Sequence, residues 1–548
     1  MNALRGTFLS ILCLLPLSGY STQADFEQGQ QWLKQRLDQR HQQNQQHLQK
    51  QSPQAARNLI LFLGDGMSVT TLTAARIFEG QQRGESGEEN QLYFENFPYS
   101  SLVKTYNTNQ QTADSAGTMS AITTGVKTRA GLIAVGPEQD RAICAGSRQY
   151  HQQTLLQWAS QQGYATGIVT SARITHATPA AAYAHSPERD WEADSDLTAE
   201  AQQHGCKDIA WQLINKAYDK ERGVDIVLGG GKANFTKASW YTRLFTQYLS
   251  VPFYALPDFL KSGGKRYDTD LIQQWQQRFP NGHYLENRQQ LAQFSQSSQQ
   301  TGPVLGLFAN SHLPYQYDSQ KKGNESQQPT LEQMTQTAVN YLAQRVQQQD
   351  LTGYVLIVEG ARIDHAHHLG NAYRALDETV AMAKAVKTAD QLSDDKSLII
   401  VTADHSHTLS MAGYPQRGNA ILGFVDNNGQ TLALDNHPYT TLGYANGFGA
   451  HPLHDDDHTH KSKHDHTQRQ PGRVLWNDAK EVPANPEEAD FYQAALAGSY
   501  YETHSSDDVA LHAKGPGAQF FHGLIDQHEI YHRIRRALHP ALSKQQER

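Results

Sequence analysis

The chain has 548 residues, with 47 Lys and Arg against 55 Asp and Glu and a formal net charge of −8. That length suits one large α/β enzyme domain with insertions and a sizeable core, and the acidic balance leaves no basic field for nucleic acid. The 26 histidines stand out, because neutral imidazole is the commonest zinc ligand.

Arg5, the apolar run Phe8 to Leu17 and the small-x-small stretch Thr22-Gln23-Ala24 read together as a secretory signal over residues 1–24. The run is too short to span a bilayer. The mature protein is therefore expected in the periplasm or outside the cell. No later segment reads as a membrane span, and the polar end Ser543 to Arg548 carries no lipid-anchor signal. Cys13 leaves with the signal, so Cys144 and Cys206 remain, an even number in an oxidising compartment. A bridge between them would close a loop of roughly 60 residues and stabilise by about 4 kcal/mol in the chain-entropy model; two free buried thiols are the alternative. Residues 25–56 are Gln-rich, with Trp32, Leu33, Leu37 and Leu48, enough for a helical arm on another subunit or for a solvated helix.

The run Asn58 to Leu63 followed by Gly64-Asp65-Gly66-Met67 predicts a buried parallel strand that ends in a carboxylate on a tight turn. Similar runs recur at Tyr164 to Val169, Val224 to Leu228, Val304 to Phe308, Tyr354 to Val358, Leu398 to Val401 and Val509 to Ala513. Strands alternating with helical stretches indicate an α/β fold with a doubly wound parallel sheet, whose ligands sit outside the carboxyl ends of the strands.

Polar residues collect at those ends. Gln111-Thr112-Ala113-Asp114-Ser115-Ala116-Gly117-Thr118 reads as a nucleophile, Ser115, at the start of a helix whose N–H groups and dipole favour an anion. The same tetrapeptide is also an ordinary N-cap. Ala172 to Pro179 includes His176 and Thr178; Glu359 precedes Arg362-Ile363-Asp364-His365-Ala366-His367-His368; Asp404-His405-Ser406-His407 follows another apolar run; Glu502-Thr503-His504 stands near the end. Asp364 and His368 are four apart, so on a helix they share a face and can grip one metal ion. One histidine alone reads as a satisfied core residue; repeated clusters past apolar strands read as a ligand set.

These motifs, in this order along roughly residues 25 to 540, resemble the alkaline phosphatase family. The resemblance implies a three-layer α/β sandwich with a large, mostly parallel central sheet flanked by helices. It makes residues 57–548 the catalytic domain, with a small crown insertion at about 412–500. It also implies a homodimer in which the N-terminal arm reaches across, and hydrolysis of phosphate monoesters at alkaline pH through a covalent phosphoserine. Carried over residue by residue, Asp364, His368 and His504 hold a first zinc. Asp404 and His405, with Asp65, hold a second. Asp65 bridges to a magnesium that Thr178 and Glu359 also bind, so two Zn2+ and one Mg2+ are expected per subunit. Nitrogen and carboxylate ligands suit zinc and an all-oxygen set suits magnesium. Ser115 is the nucleophile, and Arg189 matches the arginine that clamps phosphate, a bidentate task for which a guanidinium is shaped.

His176 and His365 stand where many bacterial members carry Asp and Lys, as in the animal enzymes, and are expected to tune metal affinity and rate from beside the ligands. Cys144 and Cys206 sit where animal-type members have a disulfide. Those members use a carboxylate just after a Gly-Leu-Phe strand for calcium. Here Gly306-Leu307-Phe308 is followed by Ala309-Asn310-Ser311, so no calcium site of that type is expected. His451 to His466, rich in His and Asp, reads either as a solvated loop or as surface metal capture that feeds the zinc sites. A relative acting on phosphodiesters or sulfate esters is disfavoured by Thr178 and Glu359, and a zinc-storage protein needs neither Ser115 nor Arg189. The physiological alcohol is not indicated, because such a site grips the phosphoryl group and leaves the alcohol side open.

Overall fold

The apolar run after Arg57 forms β1 (Asn58–Gly64), buried at all seven positions. The computed structural model describes residues 55–216, 223–249, 263–297, 300–323, 327–429, 431–432, 438–450 and 485–538, together with Gln31 and Lys34. The further strands are β2 (Tyr99–Lys104), β3 (Ala165–Arg173), β4 (Ile226–Gly230), β5 (His283–Leu285), β6 (Val304–Leu307), β7 (Tyr354–Gly360) and β8 (Ser397–Ala403). After them come β9 (Ser406–His407), β10 (Leu409–Met411), β11 (Leu442–Gly447), β12 (Ala495–Gly498), β13 (His504–Ser505), β14 (Val509–Lys514) and β15 (Gly523–Asp526). Ten of them form one sheet in the order β15-β2-β14-β8-β1-β7-β3-β4-β6-β5.

β1, β7 and β8 are buried along their whole length. A parallel strand with no solvated face needs helices on both sides of the sheet, which is the sandwich expected from the sequence. The helix Leu331–Gln348 illustrates the covering layer. Thr330 caps it through a reciprocal box with Gln333, and it buries Leu331, Met334, Ala338, Val339 and Leu342.

All the apolar runs became strands, with one correction. The run Val509 to Ala513, taken as one of the parallel set, is β14, antiparallel to both β2 and β8. Its burial alternates where that of β1 is continuous, the pattern of a strand with one less protected face. β2, β5 and β15 were not expected; they are short or polar, and Leu102 in β2 is 47% exposed.

Cys144 and Cys206 form the disulfide, with Cα atoms 6.0 Å apart, beside buried Trp191 and Ala201. No helix among the described residues is long and apolar enough to cross a membrane. The signal at 1–24, most of the arm at 25–56 and the histidine-rich stretch 451–466 lie outside the described residues.

Candidate functional site

The carboxyl ends of the central strands converge on one buried cluster. Asp65 follows β1, on a turn whose tightness requires Gly66 at φ +68°. A Cβ there would lie 2.3 Å from Cδ2 of His407. The Gly66 N–H donates to Asp404 Oδ1 at 3.0 Å, which ties the end of β1 to the end of β8. Glu359 lies in β7 opposite Thr170 of β3, whose hydroxyl donates to it.

Ser115 is the first residue of the helix Ser115–Thr124, and Asp114 is its N-cap, accepting from the Gly117 N–H. The N-cap reading of this stretch therefore holds, and Ser115 stands at the helix start where a nucleophile was expected. Ser115 Oγ lies 3.0 Å from His405 Nε2 and 3.4 Å from Asp65 Oδ1. Asp114 does more than cap. Its Oδ1 accepts from Gly117 N and Asn107 Nδ2, and its Oδ2 from Gly131 N at 2.9 Å and Arg189 Nη1 at 3.0 Å. One carboxylate thus fixes both the helix start and the guanidinium beside it.

Three groups of potential metal ligands meet here. In the first, His504 Nδ1 donates to the Ala113 carbonyl at 2.7 Å and His368 Nδ1 to the Glu502 carbonyl at 2.6 Å. When these imidazoles are neutral each has one N–H, so both Nε2 atoms then carry lone pairs; against burial, the Asp364 carboxylate beside His504 favours its protonated form until a cation takes that place. The Nε2 atoms face each other at 3.1 Å, 3.3 and 3.4 Å from Asp364 Oδ1. Three acceptors aimed at one point fit a cation held by two nitrogens and a carboxylate. In the second, His405 Nε2 lies 3.3 Å from Asp65 Oδ1 and 3.3 Å from Asp404 Oδ2. In the third, Asp65 Oδ2, Thr178 Oγ1 and Glu359 Oε1 are buried without a hydrogen-bond partner of ordinary geometry. Buried polar atoms are normally paired, and an all-oxygen set suits a hard cation.

The electrostatics agree. Burial, and then the charges of Asp404, Asp364 and Glu359, raise the Asp65 carboxyl well above the usual range. Burial pushes Glu359 up to about 8 and Asp404 up to about 6. These carboxylates ionise together only if positive charge joins them.

Every ligand expected from the sequence is in this cluster, and two neighbours were missed. His407 lies 2.7 Å from Asp364 Oδ1 through Nε2 and bonds Glu502 Oε2 through Nδ1. Burial works to strip its proton, but the Glu502 and Asp364 carboxylates outweigh it and hold the pKa above its ordinary value. With both nitrogens donating, His407 has no lone pair for a metal, so it braces Asp364 instead. Both residues stood inside quoted motifs, but their pairing needs β9 and β13, which set His407 opposite His504. His176 and His365 are adjacent, ring centroids 5.5 Å apart, and His312 joins them at 4.2 Å from His365. Burial holds His176 uncharged, down at about 3. His312 lies in a loop with no motif to mark it.

A cleft of about 820 Å³ opens beside the first group, lined by Thr112, Asp114, His368, Tyr501 and His504 among others.

The family model for alkaline phosphatase matches residues 56–539. The chain is 37% identical over 491 residues to the tissue-nonspecific alkaline phosphatase isozyme of Mus musculus, covering 88% of this chain and 84% of that protein. It is 38% identical over 494 residues to the alkaline phosphatase of Gadus morhua, covering 88% and 92%. Among solved structures, the alkaline phosphatase of Thermus thermophilus superposes with a TM-score of 0.56 at 20% identity, covering 88% of this chain and 92% of that one. That of the Antarctic bacterium TAB5 gives 0.54 at 18% identity, covering 88% and 99%. The structural likeness bears on the fold, and the extent of the sequence match decides the kinship: this chain belongs to the alkaline phosphatase family, a family of phosphate monoester hydrolases.

Proposed function

We propose that this chain hydrolyses phosphate monoesters through a phosphoserine on Ser115, at a site that takes two zinc ions and one magnesium ion. The observation that carries this reading is the position of Ser115 Oγ, at a helix N-terminus and 3.0 Å from His405 Nε2, beside buried carboxylate oxygens that have no hydrogen-bond partner. The ions, when bound, supply that counter-charge, lower the proton affinity of the Ser115 hydroxyl and stabilise the departing alkoxide.

The chain's own residues do the rest. Arg189, aligned by Asp114, and the first N–H groups of the helix hold the phosphoryl oxygens. Ser115 Oγ passes its proton to solvent and bonds to phosphorus while the ester P–O bond breaks, and the alcohol leaves with a proton from solvent. Water then attacks phosphorus, the bond to Ser115 Oγ breaks, and the serine regains its proton as phosphate departs. Asp364, His368 and His504 would hold one zinc ion, Asp404, His405 and Asp65 a second, and Asp65, Thr178 and Glu359 the magnesium ion.

The disulfide supports an oxidising location, and with the N-terminal signal we infer a periplasmic or secreted homodimer whose arm, residues 25–56, reaches across to its partner. Acid quenching with labelled substrate traps phosphate on Ser115 if the reading is right, and Ser115→Ala traps none. Metal analysis of the purified protein should return zinc and magnesium at two to one. Label in Ser115→Ala, or an active protein without zinc, would refute it.

A further inference from the structure

The cleft holds a cation that the hydrolytic chemistry does not use. Arg362 opens the helix Arg362–His368 and lines the cleft together with Tyr315 and Tyr501. Its guanidinium lies over the Tyr315 ring, Cζ 3.7 Å from the centroid. A guanidinium this close to an aromatic face is attracted to it and restricted in its movement. Nη1 donates to His365 Nδ1 at 2.9 Å. Nε is buried and without a partner, and Arg362 forms no salt bridge among the described residues. A guanidinium has five N–H donors, and only one is engaged in a group that is already partly desolvated. The donors that face the cleft are hydrated when it is empty and can be taken over by an anion that enters it.

The place of the cleft says which part of a ligand that is. It opens on the side of His368 and His504, which in the function proposed above is the side of the departing alcohol. The phosphoryl group itself is met by Arg189 and Ser115. Tyr501, 64% exposed on the same cleft, offers a face for the body of the alcohol.

We propose that Arg362, held by Tyr315, is an oxyanion subsite for the leaving group. The favoured substrates are phosphate monoesters whose alcohol carries a second anionic group, a carboxylate or a further phosphate. This rests on the reading of Ser115 as nucleophile.

The test compares carboxyphenyl, phosphonophenyl and carbamoylphenyl phosphates, meta and para, in the metal-replete enzyme and in Arg362→Gln. The quantity read is the ratio of kcat/KM for the anionic ester to that for the neutral carbamoyl ester. Comparing the two enzymes cancels leaving-group electronics and any general loss transmitted through His365. Wild type should favour at least one anionic ester about tenfold more than Arg362→Gln does, the size of one charge-assisted hydrogen bond. Whether the carboxylate or the phosphonate gains more assigns the anion. If Arg362→Gln does not fold, salt decides in the wild type. The preference should shrink between roughly 0.05 and 0.5 M NaCl, while turnover of the carbamoyl ester does not follow it. A wild-type ratio equal to that of Arg362→Gln, or one indifferent to salt, overturns the subsite and leaves the proposed function standing. Failure to hydrolyse any of the three esters overturns both.

Discussion

Replacing His407 with Leu would test how the first ligand group is built. The imidazole bridges two buried carboxylates, at 2.7 Å from Asp364 and in direct hydrogen bond to Glu502. Leu keeps much of the volume and removes both donors. Glu502 retains Thr408 N and Oγ1, each at 2.6 Å, but loses its only charged partner among the described residues, and a buried charge stripped in this way costs about 3–5 kcal/mol. Asp364 loses the donor that aims its Oδ1 at His368 and His504, and losses of that kind weaken metal binding about 10–100-fold. The two effects separate in a second variant. Glu502→Gln added to His407→Leu removes the stranded charge, so thermal stability should recover while metal affinity does not. The assay is metal content against a graded chelator, read by atomic absorption, beside thermal unfolding of the same samples. A chelator midpoint within twofold of wild type in His407→Leu would refute the bracing role. Full recovery of metal binding in the double variant would refute the separation of charge from geometry.

Three further outcomes follow from other contacts. Asp114→Asn keeps the shape of the cap but offers only one oxygen to four donors; Arg189 should lose its alignment, so that KM and the inhibition constant for inorganic phosphate rise several-fold, and unchanged constants would contradict the clamp. Replacing Cys144 and Cys206 by Ser removes a cross-link between residues 62 apart and should cost about 4 kcal/mol in the chain-entropy model, read as a lower denaturation midpoint that the wild type shows only under reducing conditions. Burial raises the Glu192 carboxyl, but the charge and hydrogen bonds of Arg173 outweigh it and bring the pKa from 4.5 to about 2. A carboxylate lowered on folding stabilises fully above about 4.5 and loses that contribution as pH falls toward about 2, up to about 3 kcal/mol. Glu192→Gln should therefore flatten the acid limb of the stability profile in that window, and an unchanged slope would refute the pairing.

The central sheet was legible because β1, β7 and β8 are buried on both faces, so their sequences are unbroken apolar runs. β2 was not: Tyr99-Ser100-Ser101-Leu102-Val103-Lys104 buries only Ser101 and Val103, which leaves no run to see. The antiparallel course of β14 was hidden for a different reason. Direction is set by how the chain returns through β13, and no local signal encodes that. The candidate metal ligands were legible because they stand in distinctive motifs, Asp65 and Asp404 directly after apolar strands and Asp364 and His368 on the short helix that follows β7. His407 and Glu502 stood in the same motifs, but their roles arise only when β9 pairs with β13 across about a hundred residues. His312 reaches His365 from the loop after β6, a tertiary contact with no trace in spacing.

The placement of β14 has a consequence for how the protein comes into being. It is an interior strand between β2 and β8, yet it is made from residues 509–514, and β2 and β15 reach the rest of the sheet only through it. His504 arrives just before it, opposite His407. A growing chain therefore cannot join β2 and β15 to the sheet, or complete the first candidate ligand group, until residues 504–514 have emerged. Contacts so distant in sequence slow folding, and a chain truncated before residue 504 lacks a candidate ligand as well as the strand that joins β2 to β8. Asp65 and Ser115, made early, therefore wait for His504 before the cluster around them is whole.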